Sequence, residues 1–319
     1  MTLPITDVSL GCAQLGNLYR ALTDDEASET VGRAWDLGIR YFDTAPHYGL
    51  GLSERRLGAA LAGRERDAFV VSTKVGRRLE TLPPPYGRDD DGFDVPATHR
   101  RVWDFSRDGV LRSLEESLER LGLDRVDAVF LHDPDDHWSD ALGQAYQALE
   151  ELRAQGVVSS IGAGMNQTEM LAEFVRQTDM DLLMLAGRYT LLEQGALDDL
   201  LPLCEERGVR VVAAGVFNSG ILARDDPSGD ARYDYGTAAP EIVDRARRIA
   251  AVCASHDVPL PAAAMAFPLA HPAVVSVCVG ARSPQQIERN VDLRLRPVPS
   301  DLWSELKSED LIRPDAPTP

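Results

Sequence analysis

The chain has 319 residues, and its charged (26%) and hydrophobic (44%) fractions are those of a globular protein. Its net charge of -18, with a pI near 4.7, argues against nucleic acid or an anionic membrane as partner, since both need basic surface. No apolar run reaches the roughly 20 residues that span a bilayer, and the length suits one large core, because α/β barrels often exceed about 250 residues as one domain.

The first residues, Met-Thr-Leu-Pro-Ile-Thr-Asp, lack a basic segment followed by an apolar one, so no signal peptide is read and the cytoplasm is expected. Cys12, Cys204, Cys253 and Cys278 are far apart and form no CxxC pair. They are expected as buried thiols in a reducing compartment.

In chain order, residues 8–13 read as a strand, and Thr23 with Glu26 three positions on makes a capping box for a helix that ends at Gly38. Residues 39–43 are strand, 53–61 helix, 69–73 strand, 106–120 helix and 126–131 strand. Ser139 is expected to cap a helix to Ala154, followed by strand 157–163 and helix 167–177. The second half repeats the alternation: strand 182–185, helix 196–207, strand 209–214, helix 240–256, strand 274–279 and helix 284–290. Eight strand-then-helix units, with strands this apolar, predict a parallel sheet closed into one (β/α)8 TIM barrel over residues 1–319. The competitor is a doubly wound open sheet.

Two segments break the repeat. Residues 76–105, with three consecutive prolines and the acidic run Asp89-Asp90-Asp91, form a loop far longer than usual, as a binding element or a disordered insertion would. Residues 218–239 form a second polar loop. Both leave from the carboxyl ends of strands, where barrels build their sites. A short helix is expected around residues 303–307, and the Pro-rich tail from Arg313 is expected to fray.

The nucleotide-loop fingerprints fail: residues 11–16 lack a P-loop lysine, and Gly162-x-Gly164 runs on as Met165-Asn166-Gln167. No metal is expected, because His132 and His137 bracket acidic residues without a second source of histidine. What remains is a set of strand ends. Asp43 closes one strand, with Tyr48 just beyond it, Lys74 closes the next and His132 another. Singly, each has a plain reading: a turn cap, a partly buried aromatic, a solvated strand end, a core histidine. Together a carboxylate, phenol, ammonium and imidazole at successive strand ends make a proton-transfer set.

Phe-Asp43-Thr-Ala-Pro-His-Tyr48-Gly, Ser-Thr-Lys74 and Leu-His132 resemble the motifs of the aldo-keto reductase superfamily, whose barrel carries Asp, Tyr, Lys and His in this order. The resemblance runs from Leu10 to Asn290 and is most similar to the bacterial aldose dehydrogenases, the group of L-fucose and D-threo-aldose 1-dehydrogenases. Stretches such as Gln14-Leu-Gly-Asn-Leu-Tyr-Arg20, His132-Asp-Pro134 and Ala186-Gly-Arg-Tyr-Thr carry it.

A phenol titrates near pH 10, and each unit of lowering needs about 1.4 kcal/mol of preference for the phenolate. Lys74 beside Tyr48 supplies such preference, Asp43 keeps the lysine charged and aimed, and a neutral His132 orients the substrate oxygen. No side chain supplies a hydride, so a nicotinamide dinucleotide must. The resemblance implies that Asn166 holds its carboxamide, with Met165 where relatives have serine. Phe217, Ser219, Gly220 and Leu222 belong to the loop over the pyrophosphate, and Gly280, Arg282, Ser283, Gln286 and Asn290 take the adenosine end. Two departures stand out: Ala186 where a glutamine is expected, and Ala214 in place of a stacking aromatic, with Phe217 as substitute. Between NAD and NADP, Gln286 at a phosphate-binding arginine position favours NAD, although Arg282 and Arg289 are near in sequence.

The expected reaction is oxidation of a sugar C1 hydroxyl to a lactone, or the reverse carbonyl reduction. Tyr19, Trp103 and Trp138 are the rim aromatics suited to a sugar. The alternatives are a pyridoxal or general aldehyde reductase and a non-catalytic nucleotide-binding sensor or partner subunit.

Overall fold

The computed structural model describes residues 4–234 and 236–319. Met1–Leu3, where the leader reading begins, and Tyr235, within the loop 218–239, lie outside the described residues.

The elements run β1 (Val8–Gly11), α1 (Asp24–Asp36), β2 (Tyr41–Asp43), α2 (Leu52–Leu61), β3 (Val70–Val75), β4 (Arg77–Thr81), β5 (His99–Trp103), α3 (Arg107–Leu121) and β6 (Ala128–His132). Then come α4 (Trp138–Asp140), α5 (Tyr146–Ala154), β7 (Ser160–Met165), α6 (Glu169–Gln177), β8 (Leu182–Ala186), α7 (Leu200–Arg207) and β9 (Arg210–Ala214). The chain finishes with β10 (Arg232–Tyr233), β11 (Gly236–Thr237), α8 (Pro240–Ser255), α9 (Leu260–Ala266), β12 (Val274–Gly280), α10 (Pro284–Leu295) and α11 (Ser300–Ser308). Strands β1, β2, β3, β6, β7, β8, β9 and β12 close in that order into the expected parallel barrel. Among the described residues no single helix is long and apolar enough to cross a membrane.

The chain clusters into two compact units, one from Met1–Met165, Asp179–Leu183 and Gly280–Glu288, the other from Asn166–Thr178, Met184–Val279 and Arg289–Pro319. In the first, the parallel register sets Asp43 beside Ser72 and Lys74 beside Phe130, two residues before His132, so the polar residues step up along the carboxyl ends of β2, β3 and β6. The capping box forms as read: Thr23 Oγ1 accepts from the Glu26 amide at 3.1 Å, and the Thr23 amide donates to Glu26 Oε2 at 2.7 Å. Ser139 does not cap. The helix starts one residue earlier, at Trp138, and continues through a π turn (Ala141–Ala145) into α5, so Ser139 sits in its first turn. Residues 76–105 are ordered, with β4 and β5 paired antiparallel from Arg77 opposite Trp103 to Thr81 opposite His99.

In the second unit, α9 went unread because its Leu-Pro-Ala-Ala-Ala-Met stretch is buried all round and carries no polar face to give a helical period. The tail from Arg313 is docked rather than frayed. Leu311, Ile312 and Ala316 are buried, the Arg313 amide donates to Gln194 Oε1 at 3.0 Å, and the Arg313 guanidinium pairs with Asp198 and Asp315. Proline content suggested fraying, but the apolar side chains flanking Arg313 decide otherwise. Truncating the buried Ile312 by Ile312→Ala should cost about 2–4 kcal/mol in urea unfolding; a change under about 0.5 kcal/mol, the usual surface value, would mean the tail is not docked.

Candidate active site

The site is built on the turn after β2. The Tyr48 amide donates to the Ala45 carbonyl at 3.1 Å and that of Gly51 to Pro46 at 2.8 Å, which folds residues 45–51 back on themselves. This turn lies against the loop after β1 so closely that a Cβ on Gly16 would stand 2.6 Å from the Tyr48 carbonyl carbon, and one on Gly49 2.2 Å from the Gly16 oxygen. Gly49 also has φ +62°, so glycine is required there twice over. Ser53 completes the seam, donating to the Cys12 carbonyl at 2.7 Å and bonding Thr44 Oγ1 at 2.8 Å.

Lys74 Nζ has three donors and three acceptors: Asp43 Oδ2 at 2.6 Å, the Thr44 carbonyl at 2.9 Å and the Tyr48 oxygen at 3.2 Å. Asp43 Oδ1 accepts from Ser72 at 2.7 Å. Both charged side chains are 2–3% exposed. Burial alone would lower the lysine pKa, but the Asp43 carboxylate and the Tyr48 oxygen outweigh it and hold the ammonium above its ordinary value. The His132 ring stands at right angles to Tyr48, with centroids 6.0 Å apart. Its pKa is pushed well below 6.5, first by burial and then by Arg77 and Lys74, so the imidazole is neutral. The four predicted residues therefore meet, all within the first unit.

The insertion covers this turn. Phe93, Leu79 and Val95 pack with Leu50, and Tyr48 and Leu18 close on that cluster. Arg101 donates to the His47 carbonyl at 3.0 Å while its guanidinium pairs with Asp89 and Asp91. His47 was not singled out from the sequence, yet its ring lies 5.5 Å from His132, and burial with Arg77 and Arg101 takes its pKa down to about 2. Arg77, Arg101 and Asp133 were missed as well. Arg77 and Arg101 lie on β4 and β5, whose runs Arg-Arg-Leu-Glu-Thr and His-Arg-Arg-Val-Trp read as solvated surface until the strands pair, and Asp133, which follows β6, reads only as one of the acidic residues between His132 and His137. Of the rim aromatics, Trp103 is 45% exposed and Tyr19 56% exposed. Trp103 stacks on Phe105, Tyr19 is fixed by its amide on the Gly92 carbonyl, and Trp138 opens α4.

The residues expected to hold a dinucleotide are distributed as follows. In the first unit Met165 ends β7 and Gly280 ends β12, where a Cβ would strike the Gln14 side-chain amide at 2.3 Å. Gln14 Oε1 there is a buried acceptor without a partner. Ser283 Oγ accepts from the Gln286 amide at 3.3 Å and Gln286 Oε1 from the Arg282 amide at 3.0 Å, so both side chains cap α10. In the second unit Asn166 lines a cavity of about 500 Å³ with Thr168, Arg188 and Glu193. Asn218, Ser219 and Gly220 follow Phe217 in a run of positive φ, and the last two line a cavity of about 240 Å³ with Arg224 and Arg232. Leu222 is buried beneath that turn, Asn290 is buried in α10, and Arg289 is tied to the Ala223 carbonyl at 3.0 Å.

A closed parallel barrel carries a carboxylate, an ammonium and a phenol oxygen joined by hydrogen bonds at and beside the ends of β2 and β3, an arrangement able to pass a proton. The profile of the Aldo/keto reductase family matches residues 7–310, and the chain belongs to that family, whose enzymes use NAD(P). It is 53% identical to the D-threo-aldose 1-dehydrogenase of a Pseudomonas species, over 99% of this chain and 96% of that one. To the pyridoxal 4-dehydrogenase of Microbacterium luteolum it is 41% identical, over 97% and 95%. The holo structure of an aldo-keto reductase from Bacillus halodurans superposes with a TM-score of 0.78 at 27% identity, over 97% of this chain and 93% of that one.

An unfolded imidazole titrates near 6.5, whereas His132 in the fold stays neutral well below that. Below pH 6.5 the unfolded chain thus takes up a proton that the folded chain refuses. Stability, complete above that pH, falls with acid by about 1.4 kcal/mol per unit for this group. His132→Gln removes the contribution, so its unfolding free energy should fall less steeply than wild type between pH 6.5 and 5. Parallel slopes would show that His132 is charged in the folded protein.

Proposed function

We propose that the protein oxidises an aldose at its C1 hydroxyl to the lactone, with Asp43, Tyr48, Lys74 and His132 as the catalytic set. The observation that carries the reading is the Lys74 ammonium 3.2 Å from the Tyr48 oxygen and 2.6 Å from Asp43. An ammonium at that distance stabilises the negative charge the phenol oxygen carries once its proton is gone, so Tyr48 can take the proton of the C1 hydroxyl. Lys74 donates to the phenol oxygen while Asp43 serves as its main counter-ion. Neutral His132 gives a hydrogen bond to the reacting oxygen and fixes which face is presented. In the reverse direction Tyr48 returns its proton to a carbonyl oxygen.

A nicotinamide dinucleotide supplies or accepts the hydride. The second unit has donors that suit its pyrophosphate, a left-handed run at residues 218–220 with two arginines beside it, and the first unit has an orphaned buried acceptor on Gln14. Asn166 and Met165 are assigned to the carboxamide, Phe217, Ser219, Gly220 and Leu222 to the pyrophosphate, and Gly280, Arg282, Ser283, Gln286 and Asn290 to the adenosine end. NAD is favoured over NADP. A 2′-phosphate asks for a well-placed Arg or Lys, and here Gln286 caps the Arg282 amide while Arg289 is tied to the Ala223 carbonyl. Tyr19, Trp103 and Trp138 are given to the substrate. The four buried cysteines, each a thiol rather than half of a disulfide, support a cytoplasmic setting.

The sugar reading draws on the 53% identity to a D-threo-aldose 1-dehydrogenase. The identity to a pyridoxal 4-dehydrogenase favours pyridoxal as the second reading. Initial rates with NAD and with NADP, against aldoses and against pyridoxal, separate these: aldoses with NAD should give the highest kcat/KM, and a preference for pyridoxal would replace the first reading with the second. Tyr48→Phe should lower kcat/KM by about 10³-fold or more, within the 10²–10⁴ span of acid–base catalysis, while nicotinamide binding by fluorescence titration changes little. Activity within about tenfold of wild type would remove Tyr48 from its role.

A further inference from the structure

One ion pair beside the four catalytic residues has no part in the proton transfer. Asp133 follows His132 directly and holds φ +41°, a left-handed conformation that aspartate tolerates better than most residues. Its amide donates to the Gly164 carbonyl at 3.0 Å, which fixes it to the end of β7. Its Oδ2 accepts from the Arg77 guanidinium, and that guanidinium lies 4.4 Å from the centre of the Trp103 ring. Trp103 is itself stacked on Phe105 at 5.9 Å. Strand end, hairpin and aromatic stack thus converge to hold one carboxylate, 30% exposed, beside the catalytic histidine.

The histidine does not use it. His132 Nε2 stands 3.7 Å from Asp133 Oδ2, beyond hydrogen-bond length. Orientation of the imidazole therefore does not account for the pair, and a half-buried ion pair adds little net stability. Burial pushes the Asp133 pKa up and Asp135 adds to the rise, while the Arg77 guanidinium, and Lys74 after it, favour the charged carboxylate. Of these bonds Asp133 Oδ1 takes none.

We propose that Asp133, braced by Arg77, determines substrate specificity by accepting a hydrogen bond from the sugar hydroxyl on C2, next to the reacting carbon. The proposal rests on the aldose reading above. With the C1 oxygen between Tyr48 and His132, the neighbouring hydroxyl is within reach of Asp133, whose Oδ2 stands 3.7 Å from His132 Nε2. An ionised carboxylate only accepts, so it rewards a hydroxyl donor. An aldehyde without a hydroxyl at C2 would strip water from the charge and give nothing back. His47, whose buried Nδ1 has no partner beside His132, offers one more polar atom to the same hydroxylated substrate.

The test compares kcat/KM for an aldose and its 2-deoxy counterpart in wild type, Asp133→Asn and Asp133→Gly. Glycine adopts φ +41° without strain, so a change in Asp133→Gly cannot come from the backbone. Wild type should prefer the aldose by about 10²-fold or more, toward the 10⁴–10⁵ seen where a site is built around a substrate hydroxyl. In Asp133→Gly that ratio should fall to within about threefold of one, with Asp133→Asn between, and the loss should lie mainly in KM. A ratio unchanged while both rates fall together would show that Asp133 only supports His132, and would overturn the proposal. Should the wild type oxidise aldoses with no preference for the C2 hydroxyl, this proposal alone falls; should it oxidise none, the aldose reading falls and takes the proposal with it.

Discussion

The contact between Lys74 and Asp43 sets the conditions for everything around it. Two opposite charges, each almost wholly removed from water, do not add much stability once their desolvation is counted, but removing one partner strands the other at a cost of about 3–5 kcal/mol. The pair is therefore tolerated for what it does at a third atom. All three lysine donors are committed, and one of the acceptors is the Tyr48 oxygen. The phenol thus meets a positive charge held in place by its other two acceptors, which is the preorganisation that the proposed proton transfer through Tyr48 requires.

Holding that geometry needs support from above and below. Below, the register of β2 against β3 brings Ser72 under Asp43, and Glu54 on α2, wholly buried, accepts from Thr73 at 2.7 Å and from Arg120 at 2.6 Å, linking the residue before Lys74 to α3. Above, the Tyr48 turn is gripped by two glycine contacts and roofed by the hairpin. Arg101 bonds the His47 carbonyl and is itself locked by two aspartates, so the insertion is wired to the peptide that carries the Tyr48 phenol. A loop that appeared to be an appendage is part of the wall of the site.

Much of this was legible in the sequence because β2, β3 and β6 are short apolar runs that close on or beside Asp43, Lys74 and His132, and the carboxyl ends of parallel barrel strands face one rim. Asp43, Tyr48, Lys74 and His132 were found that way, and the Thr23 and Glu26 cap was read correctly down to its bonds. What was missed has physical reasons. The hairpin strands Arg77–Thr81 and His99–Trp103 are so rich in arginine that charge hid their pairing, and with it the roles of Arg77, Arg101 and Asp133. The Ala-rich α9 has no amphipathic period to detect. The tail was judged by its prolines, although Leu311 and Ile312 just before Arg313 carry the apolar surface that docks it.

The relatives sharpen one further point. Proteins 53% and 41% identical to this chain bear the names of an aldose dehydrogenase and a pyridoxal dehydrogenase. A proton relay of phenol, ammonium and carboxylate acts on any alcohol or carbonyl oxygen brought to it and has no means of telling a sugar from a pyridine. Discrimination must come from groups that touch the rest of the substrate, and in this unit the polar ones beside the relay are His47, Arg77 and Asp133. Two of the three owe their placement to the 76–105 hairpin, Arg77 by lying on it and His47 through Arg101. On the proposed reading the chemistry belongs to the ends of the barrel strands and the choice of substrate to groups held by the insertion, so a change of substrate would be reached by altering β4 and β5 while the Lys74–Asp43 contact is left untouched.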